Sequence, residues 1–200
     1  MRVFVLAVFL CVSAFSSSAL AGDAVIDRAL ETLNSTRSLY AKFKQYDQDG
    51  NRWSGQMWLK RPGKIRFQYD PPENDVIWST GLFIKLYDAE LQTVTHIPVG
   101  LAPAWFLLED PVQLDKKVEI LAAGNAGKNY FLTASQEGLL ANGKVTIIFE
   151  QGVPDQILGW TVVEDNGRTM HFNLINPMFG AAIDDEVFRY QPPIKADTSN

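Results

Sequence analysis

Residues 59–72 read Leu59-Lys60-Arg61-Pro62-Gly63-Lys64-Ile65-Arg66-Phe67-Gln68-Tyr69-Asp70-Pro71-Pro72. From Lys64 onward the stretch alternates. Lys64, Arg66, Gln68 and Asp70 point one way, and Ile65, Phe67 and Tyr69 point the other. A period of two with β-branched and aromatic residues on one side specifies a half-buried strand. Pro62 and Gly63 set a turn ahead of it, and Arg61 is held against that turn. The run just before has the same period: Trp53, Gly55, Met57 and Leu59 share a face opposite Ser54, Gln56, Trp58 and Lys60. A fixed arginine between two such strands needs a reason.

Working outward, short strands are expected at 75–79, 82–88, 91–97, 117–122, 129–135, 144–151, 156–164 and 168–175, with a last one at Val187 to Tyr190. The turns between them carry Gly, Pro, Asn or Asp, as in Ser79-Thr80-Gly81 and Asp165-Asn166-Gly167. Many short strands at this spacing predict one large antiparallel sheet curled toward a barrel. Ahead of them, Val25, Ile26, Ala29, Leu30 and Leu33 recur at helical spacing, and Leu39, Tyr40 and Phe43 continue the pattern. The spacing predicts one helix over 24–45, capped by Asp23, that packs on or inside the sheet. Asp47 to Asn51 then forms a turn; it lacks the ligand positions of a calcium loop.

The amino terminus has a different purpose. Arg2 is followed by an apolar run from Val3 to Phe15 and by Ala19-Leu20-Ala21, a small-x-small site. This is a secretory signal peptide over 1–21, with cleavage expected between Ala21 and Gly22. The single cysteine, Cys11, leaves with it. The mature chain then has no disulfide and rests on its hydrophobic core, as one domain over 22–200. With 23 acidic and 18 basic residues, the chain is a poor match for a nucleic-acid partner.

Catalytic chemistry has no visible seat. The two histidines, His96 and His171, fall in strand-like segments without metal-ligand spacing. There is no Gly-x-Ser-x-Gly and no phosphate-cradling glycine loop. Asp184-Asp185-Glu186 reads as a solvated run, and Lys60, Lys64 and Arg66 as a solvated face or a docking surface. No enzyme activity, metal or cofactor is expected. The sheet offers apolar surface instead. Met57 and Leu59, then Ile65, Phe67 and Tyr69, then Trp78 and Phe83 are expected to face inward. Ile147, Phe149, Met170, Phe172 and Leu174 join them from later strands. Each alone suits a packed core; together they suit a site for a greasy ligand. The segment 98–111 interrupts the strands with prolines and a glycine. Leu101, Trp105, Phe106, Leu107 and Leu108 make it either a core plug or a lid over an apolar opening.

These residues carry a resemblance. Tyr40-Ala41-Lys42-Phe43-Lys44-Gln45, Gly55 with Trp58-Leu59-Lys60-Arg61-Pro62-Gly63, Ile84-Lys85-Leu86-Tyr87-Asp88, Ala102-Pro103 to Leu107-Leu108 and Phe188-Arg189-Tyr190 resemble the LolA family of periplasmic lipoprotein carriers across nearly the whole mature chain. Thr80-Gly81-Leu82 stands where the family often has Asp-Gly-Lys, and an added carboxy-terminal element of some members is expected to be absent. The resemblance implies an incomplete antiparallel β-barrel closed by a helical lid over a hydrophobic cavity. It implies a periplasmic, monomeric carrier that takes acylated lipoproteins from an inner-membrane ABC-type release complex to an outer-membrane lipoprotein receptor. It also implies that Arg61 latches the lid by hydrogen bonds to lid backbone. The alternatives are a related half-barrel that carries or senses another lipid, and an envelope hydrolase acting on lipids. Water penalises each exposed methylene by roughly 0.8 kcal/mol, so acyl chains need a shield, and an empty shield needs a plug.

Overall fold

The computed structural model describes residues 18–101, 105–113, 118–136 and 143–193. Helix α1 spans Ser18–Ser35 and is followed by β1 Ser38–Asp47, β2 Arg52–Lys60, β3 Lys64–Tyr69, β4 Val76–Thr80, β5 Phe83–Asp88 and β6 Thr93–Pro98. Then come β7 Val118–Ala126, β8 Asn129–Gln136, β9 Gly143–Glu150, β10 Gln156–Glu164 and β11 Thr169–Phe179. All eleven strands form one sheet in the order β6-β5-β4-β3-β2-β1-β11-β10-β9-β8-β7. Every neighbouring pair is antiparallel. The edge strands β6 and β7 do not pair with each other, so the barrel is unclosed. The chain runs from one edge to the other through 99–117. Two 3₁₀ segments, Val99–Leu101 and Trp105–Leu108, lie on that crossing.

A strand overlaps each segment expected from 53 to 175. The helix is shorter than its pattern predicts. It ends at Ser35, where hydroxyls crowd its last turn: Thr32 Oγ1 donates to Arg28 O at 3.0 Å, and Ser35 Oγ and Thr36 Oγ1 both donate to Thr32 O at 2.9 Å. Such local bonds compete with helix continuation. Residues 38–47 then alternate as β1, with Leu39, Ala41, Phe43 and Gln45 buried. Leu39 and Phe43 fit a helical period and a strand period alike; Tyr40 fits only the helical one and belongs to the other face, where its hydroxyl donates to Gln56 Oε1 at 2.8 Å. The expected last strand at 187–190 is instead a 3₁₀ turn, Asp185–Phe188. Asp184 caps it by accepting from the Glu186 amide at 2.9 Å, and Phe188 is buried.

One face of the sheet carries the core. Register places Leu39 opposite Leu59, Ala41 opposite Met57 and Phe43 opposite Gly55. Leu59 in turn faces Ile65, and Met57 faces Phe67. On the other side Phe43 meets Leu174 and Gln45 meets Phe172. Val25, Ala29 and Leu33 of α1 and Phe106, Leu108 and Val112 of the crossing pack onto this same face. Helix and crossing therefore lie inside the curl. Gly55 admits the curl at its tightest point: a Cβ there would sit 2.1 Å from the Gln68 carbonyl oxygen and 2.9 Å from the Phe43 ring.

A polar clamp fixes α1 across the concavity. Arg28 donates to both Asp155 oxygens, at 2.5 and 2.8 Å, and the Tyr130 hydroxyl donates to Asp155 Oδ2 at 2.9 Å. Thr32 Oγ1 and Tyr130 Oη are 2.8 Å apart. Hydrogen bonding from Arg28 is the main reason the Asp155 carboxyl is pushed down to about 2. The signal peptide expected over 1–21 lies mostly outside the described residues; Ser18 to Ala21 form the first turn of α1. Val25, Ala29 and Leu33, which bury the helix, follow the expected cleavage point.

Two stability predictions follow from these contacts. Gly55→Ala is expected to cost about 1–3 kcal/mol, read as a melting temperature several degrees lower; an unchanged melt would show that the backbone there yields freely. For Asp155 the folded-state pKa lies below the ordinary carboxylate value of 3.8. Its contribution is therefore complete above about pH 4 and is lost as pH falls toward 2. Asp155→Asn should lower the melting temperature at pH 7 and make the loss between pH 4 and pH 2 shallower than in wild type. Parallel curves for the two proteins would refute the clamp.

Candidate functional site

Arg61 follows the last residue of β2, and its fork ties three elements together. The backbone amide donates to Arg37 O at 2.8 Å. Nε donates to Leu107 O of the crossing at 2.8 Å, and Nη1 donates to Leu33 O near the end of α1. Beside it, the Gly63 amide donates to Leu108 O at 2.8 Å. Gly63 turns with φ +74°, and a Cβ there would lie 2.8 Å from the Gly81 Cα, so this turn requires glycine. The side chain is only 8% exposed and bonds to carbonyls, not to a carboxylate. Burial pushes the guanidinium down to about 10, while Asp110 pulls the other way. It therefore keeps its charge at neutral pH. Asp110 itself pairs with Arg37 at 3.1 Å. Leu33 O is one of the terminal helix carbonyls; it also accepts from the Thr36 amide at 3.2 Å, and the negative end of the helix dipole favours a cation there.

The crossing fills the concave face next to this junction. Phe106 and Leu108 are buried in the core, and Leu107 is partly buried against it. Leu101 ends the first 3₁₀ segment, half-buried; its neighbour Val99 packs on the core. Trp105 opens the second 3₁₀ segment, and its side chain lies outside the described residues. Of the residues expected to face inward, Met57, Leu59, Ile147, Phe149 and Leu174 are buried in the core, with Ile65, Phe67, Tyr69 and Phe172 packed against it. Met170 lies at the rim of the same face, its sulfur 3.8 Å from Gln45 Nε2.

Trp78 and Phe83 do not join them. Register pairs Arg66 with Trp78 and Phe67 with Ile77, which puts Trp78 on the convex face. There it meets Val76, Tyr87 and Tyr190 in a separate cluster. Phe83 is 43% exposed beside His96, while Ile84 points inward. Apolar side chains on both sides of β4 and β5 hide which face is which. The basic and acidic runs are not merely solvated either. Lys60 and Lys64 each reach Asp185 at 2.7 Å, which holds its carboxyl down at about 2. Arg66 Nη1 donates to Val187 O at 2.9 Å, and its guanidinium lies over the Tyr190 ring at 4.9 Å. The carboxy-terminal segment is thereby strapped to the convex face.

The other chemistry-bearing residues stay apart. His171 bonds Thr161 Oγ1 at 2.9 Å and stacks on Tyr46, while His96 lies on edge strand β6. Among the described residues no three of His, Cys, Asp and Glu are grouped to hold a metal, and no helix is long and apolar enough to cross a membrane. Sequence reasoning missed Leu33 O as the second acceptor of Arg61, the Arg28–Asp155 clamp and a buried amide, Gln45. A backbone carbonyl leaves no mark in sequence, and Arg28 and Asp155 are 127 positions apart. Gln45 had a signal: it continues the inward row Leu39, Ala41, Phe43 with a polar residue.

The chain is similar to known proteins. The family profile described as outer membrane lipoprotein carrier protein LolA matches residues 34–191. A protein of Methylococcus capsulatus named outer-membrane lipoprotein carrier protein is 28% identical, with 82% of each chain covered. One of the same name from Azotobacter vinelandii is 25% identical over 98% of each chain. A crystal structure of a LolA superfamily protein from Nitrosomonas europaea overlays with a TM-score of 0.48 at 9% identity, covering 84% of this chain and 97% of that one. The family match takes in every strand of the sheet, Arg61 and its acceptor Leu107: this chain belongs to the LolA family of outer-membrane lipoprotein carrier proteins.

Proposed function

We propose that this protein is a periplasmic carrier that shields the acyl chains of lipoproteins between two membranes. It accepts cargo from an ABC-type release complex of the inner membrane and hands it to a receptor at the outer membrane. It acts as a monomer, after removal of residues 1–21, and performs no chemical step of its own. One observation carries this reading: apolar side chains of the crossing occupy the concave face of an unclosed sheet, and the polar tethers beside them are hydrogen bonds. Nothing covalent need break for the crossing to leave.

The magnitudes suit a reversible plug. Re-exposing Phe106 and Leu108 costs roughly 1.5–3 kcal/mol each. Hydrogen bonds from a charged donor contribute roughly 1.5–3 kcal/mol each. Closure is then worth several kcal/mol, and acyl chains entering the same space offset it. A carrier that must also release its cargo needs a closed empty state of comparable worth to the loaded one.

Mass spectrometry of the species that co-purify from periplasm tests the reading: acylated proteins support it, and free lipid alone favours a carrier of another lipid. Arg61→Leu removes the fork but no core packing, so the circular dichroism spectrum should be retained. The open–closed balance should move by about one to two orders of magnitude, in line with the loss of the one charged hydrogen bond that Arg61 makes to the crossing, and transfer to the receptor should slow. Transfer at the wild-type rate would sink the latch. Finally, the empty protein should bind a hydrophobic dye weakly, and acylated cargo should abolish that binding; dye binding indifferent to cargo would rule out a gated cavity.

A further inference from the structure

Gln45 is a polar residue in an apolar row. Along the concave side of β1 run Leu39, Ala41, Phe43 and Gln45, and Gln45 is 4% exposed. Its Oε1 accepts from the Tyr69 hydroxyl at 2.6 Å. Burial raises that phenol well above its ordinary value, with Asp75 adding to the shift. Tyr69 therefore stays protonated and donates to Oε1, and in this arrangement Nε2 lies on the other side. There Nε2 meets only the Met170 sulfur, at 3.8 Å. A thioether is a weak acceptor, so a buried group with two N–H donors has no oxygen or nitrogen partner for either among the described residues.

What surrounds this amide is an aromatic shelf. Phe43 packs edge-on against Phe67 at 5.5 Å and Tyr69 at 5.2 Å, and Trp160 stacks on Phe172 at 5.1 Å. Phe67, Tyr69, Trp160 and Phe172 remain half-buried, whereas Leu39 and Leu59, toward the Arg61 end of the same face, are buried. The shelf thus joins accessible apolar surface to an unused donor.

We propose that Gln45 Nε2 donates to the carbonyl oxygen of a bound acyl ester, so that this end of the cavity recognises the glyceryl-ester region of an acylated ligand. This rests on the carrier reading above and names the part of the cargo that is recognised. An ester carbonyl is an acceptor flanked by hydrocarbon, which matches a donor set in aromatic surface. An anionic headgroup does not match: the groups that touch the amide, Tyr69 and Met170, are uncharged, and Asp75 acts on Tyr69 with negative potential.

The test compares a dipalmitoyl-glyceryl-cysteine peptide with its dihexadecyl-ether counterpart, which has the same chains and no carbonyl. Wild-type protein should bind the ester about five- to tenfold more tightly, the range of a single neutral hydrogen bond. Gln45→Leu should abolish that preference while binding the ether peptide within about twofold of wild type, which shows the site intact; the cycle isolates the coupling between amide and ester. Tyr69→Phe, which frees the amide to turn, should reduce the preference partway. Equal binding of both peptides by wild type, or a preference that survives Gln45→Leu, overturns the proposal and leaves the carrier reading standing. Failure of wild type to bind either peptide overturns both.

Discussion

A guanidinium buried among carbonyls, with no carboxylate in contact, is the constraint on which the structure turns. Arg61 must find acceptors to offset the loss of its water, and the acceptors it finds are Leu33 O from the end of α1 and Leu107 O from the crossing. Leu33 O also accepts from the Thr36 amide at 3.2 Å, and the guanidinium uses its second lone pair. The three elements therefore satisfy one another, and none of them does so through a bond that sequence identity at the acceptor could disrupt. Backbone acceptors also explain why the crossing can be apolar throughout its buried part and still be held in register.

The crossing itself is dictated by topology. Strands β6 and β7 are consecutive in sequence and lie at opposite edges of the sheet. A chain that ends one edge and must begin the other has to pass over the open side of a curled sheet. The same requirement that leaves the barrel unclosed supplies the segment that covers the gap. An apolar segment in that place packs onto the concave face, and Phe106 and Leu108 do so. The covering and the cavity are thus one feature of the fold.

Much of this was legible because the strands are half-buried. Ile65, Phe67 and Tyr69 alternate against Lys64, Arg66 and Gln68, and one register slip would turn the whole set to solvent. Where both faces are covered, the same logic fails. Val76, Ile77 and Trp78 form an apolar run, and only pairing with β3 decides that Ile77 looks in while Trp78 looks out. The helical pattern runs past the helix because Leu39 and Phe43 satisfy two periods; Ala41 and Gln45, the buried positions that break the tie, carry little hydrophobic signal. Arg61 stood out beside Pro62-Gly63, but its meaning came from family resemblance. The charges at Lys60, Lys64 and Asp185 were visible and their pairing was not, since it depends on a 3₁₀ turn bringing 185 back over β2 and β3.

Two elements cover the concave face, and they are held differently. Helix α1 is tied to the β8–β10 side by the bidentate Arg28–Asp155 pair, by the Tyr130 hydroxyl on Asp155 and by the Thr32–Tyr130 contact. The crossing has Arg61 on Leu107 O, Gly63 on Leu108 O and Asn34 Oδ1 accepting from the Val112 amide at 2.7 Å. All of these gather within a few residues at the junction of α1 and the β2–β3 turn. The described part of the crossing is also held at its start, where the Val99 amide donates to Leu82 O at 3.0 Å, and by the Arg37–Asp110 pair at 3.1 Å. On the carrier reading proposed above, opening by movement of the crossing would leave α1 and the sheet in place, so the concave surface that would receive a ligand is already built. A preformed wall with one movable cover keeps the ordering cost of binding low, which a carrier that both loads and unloads requires.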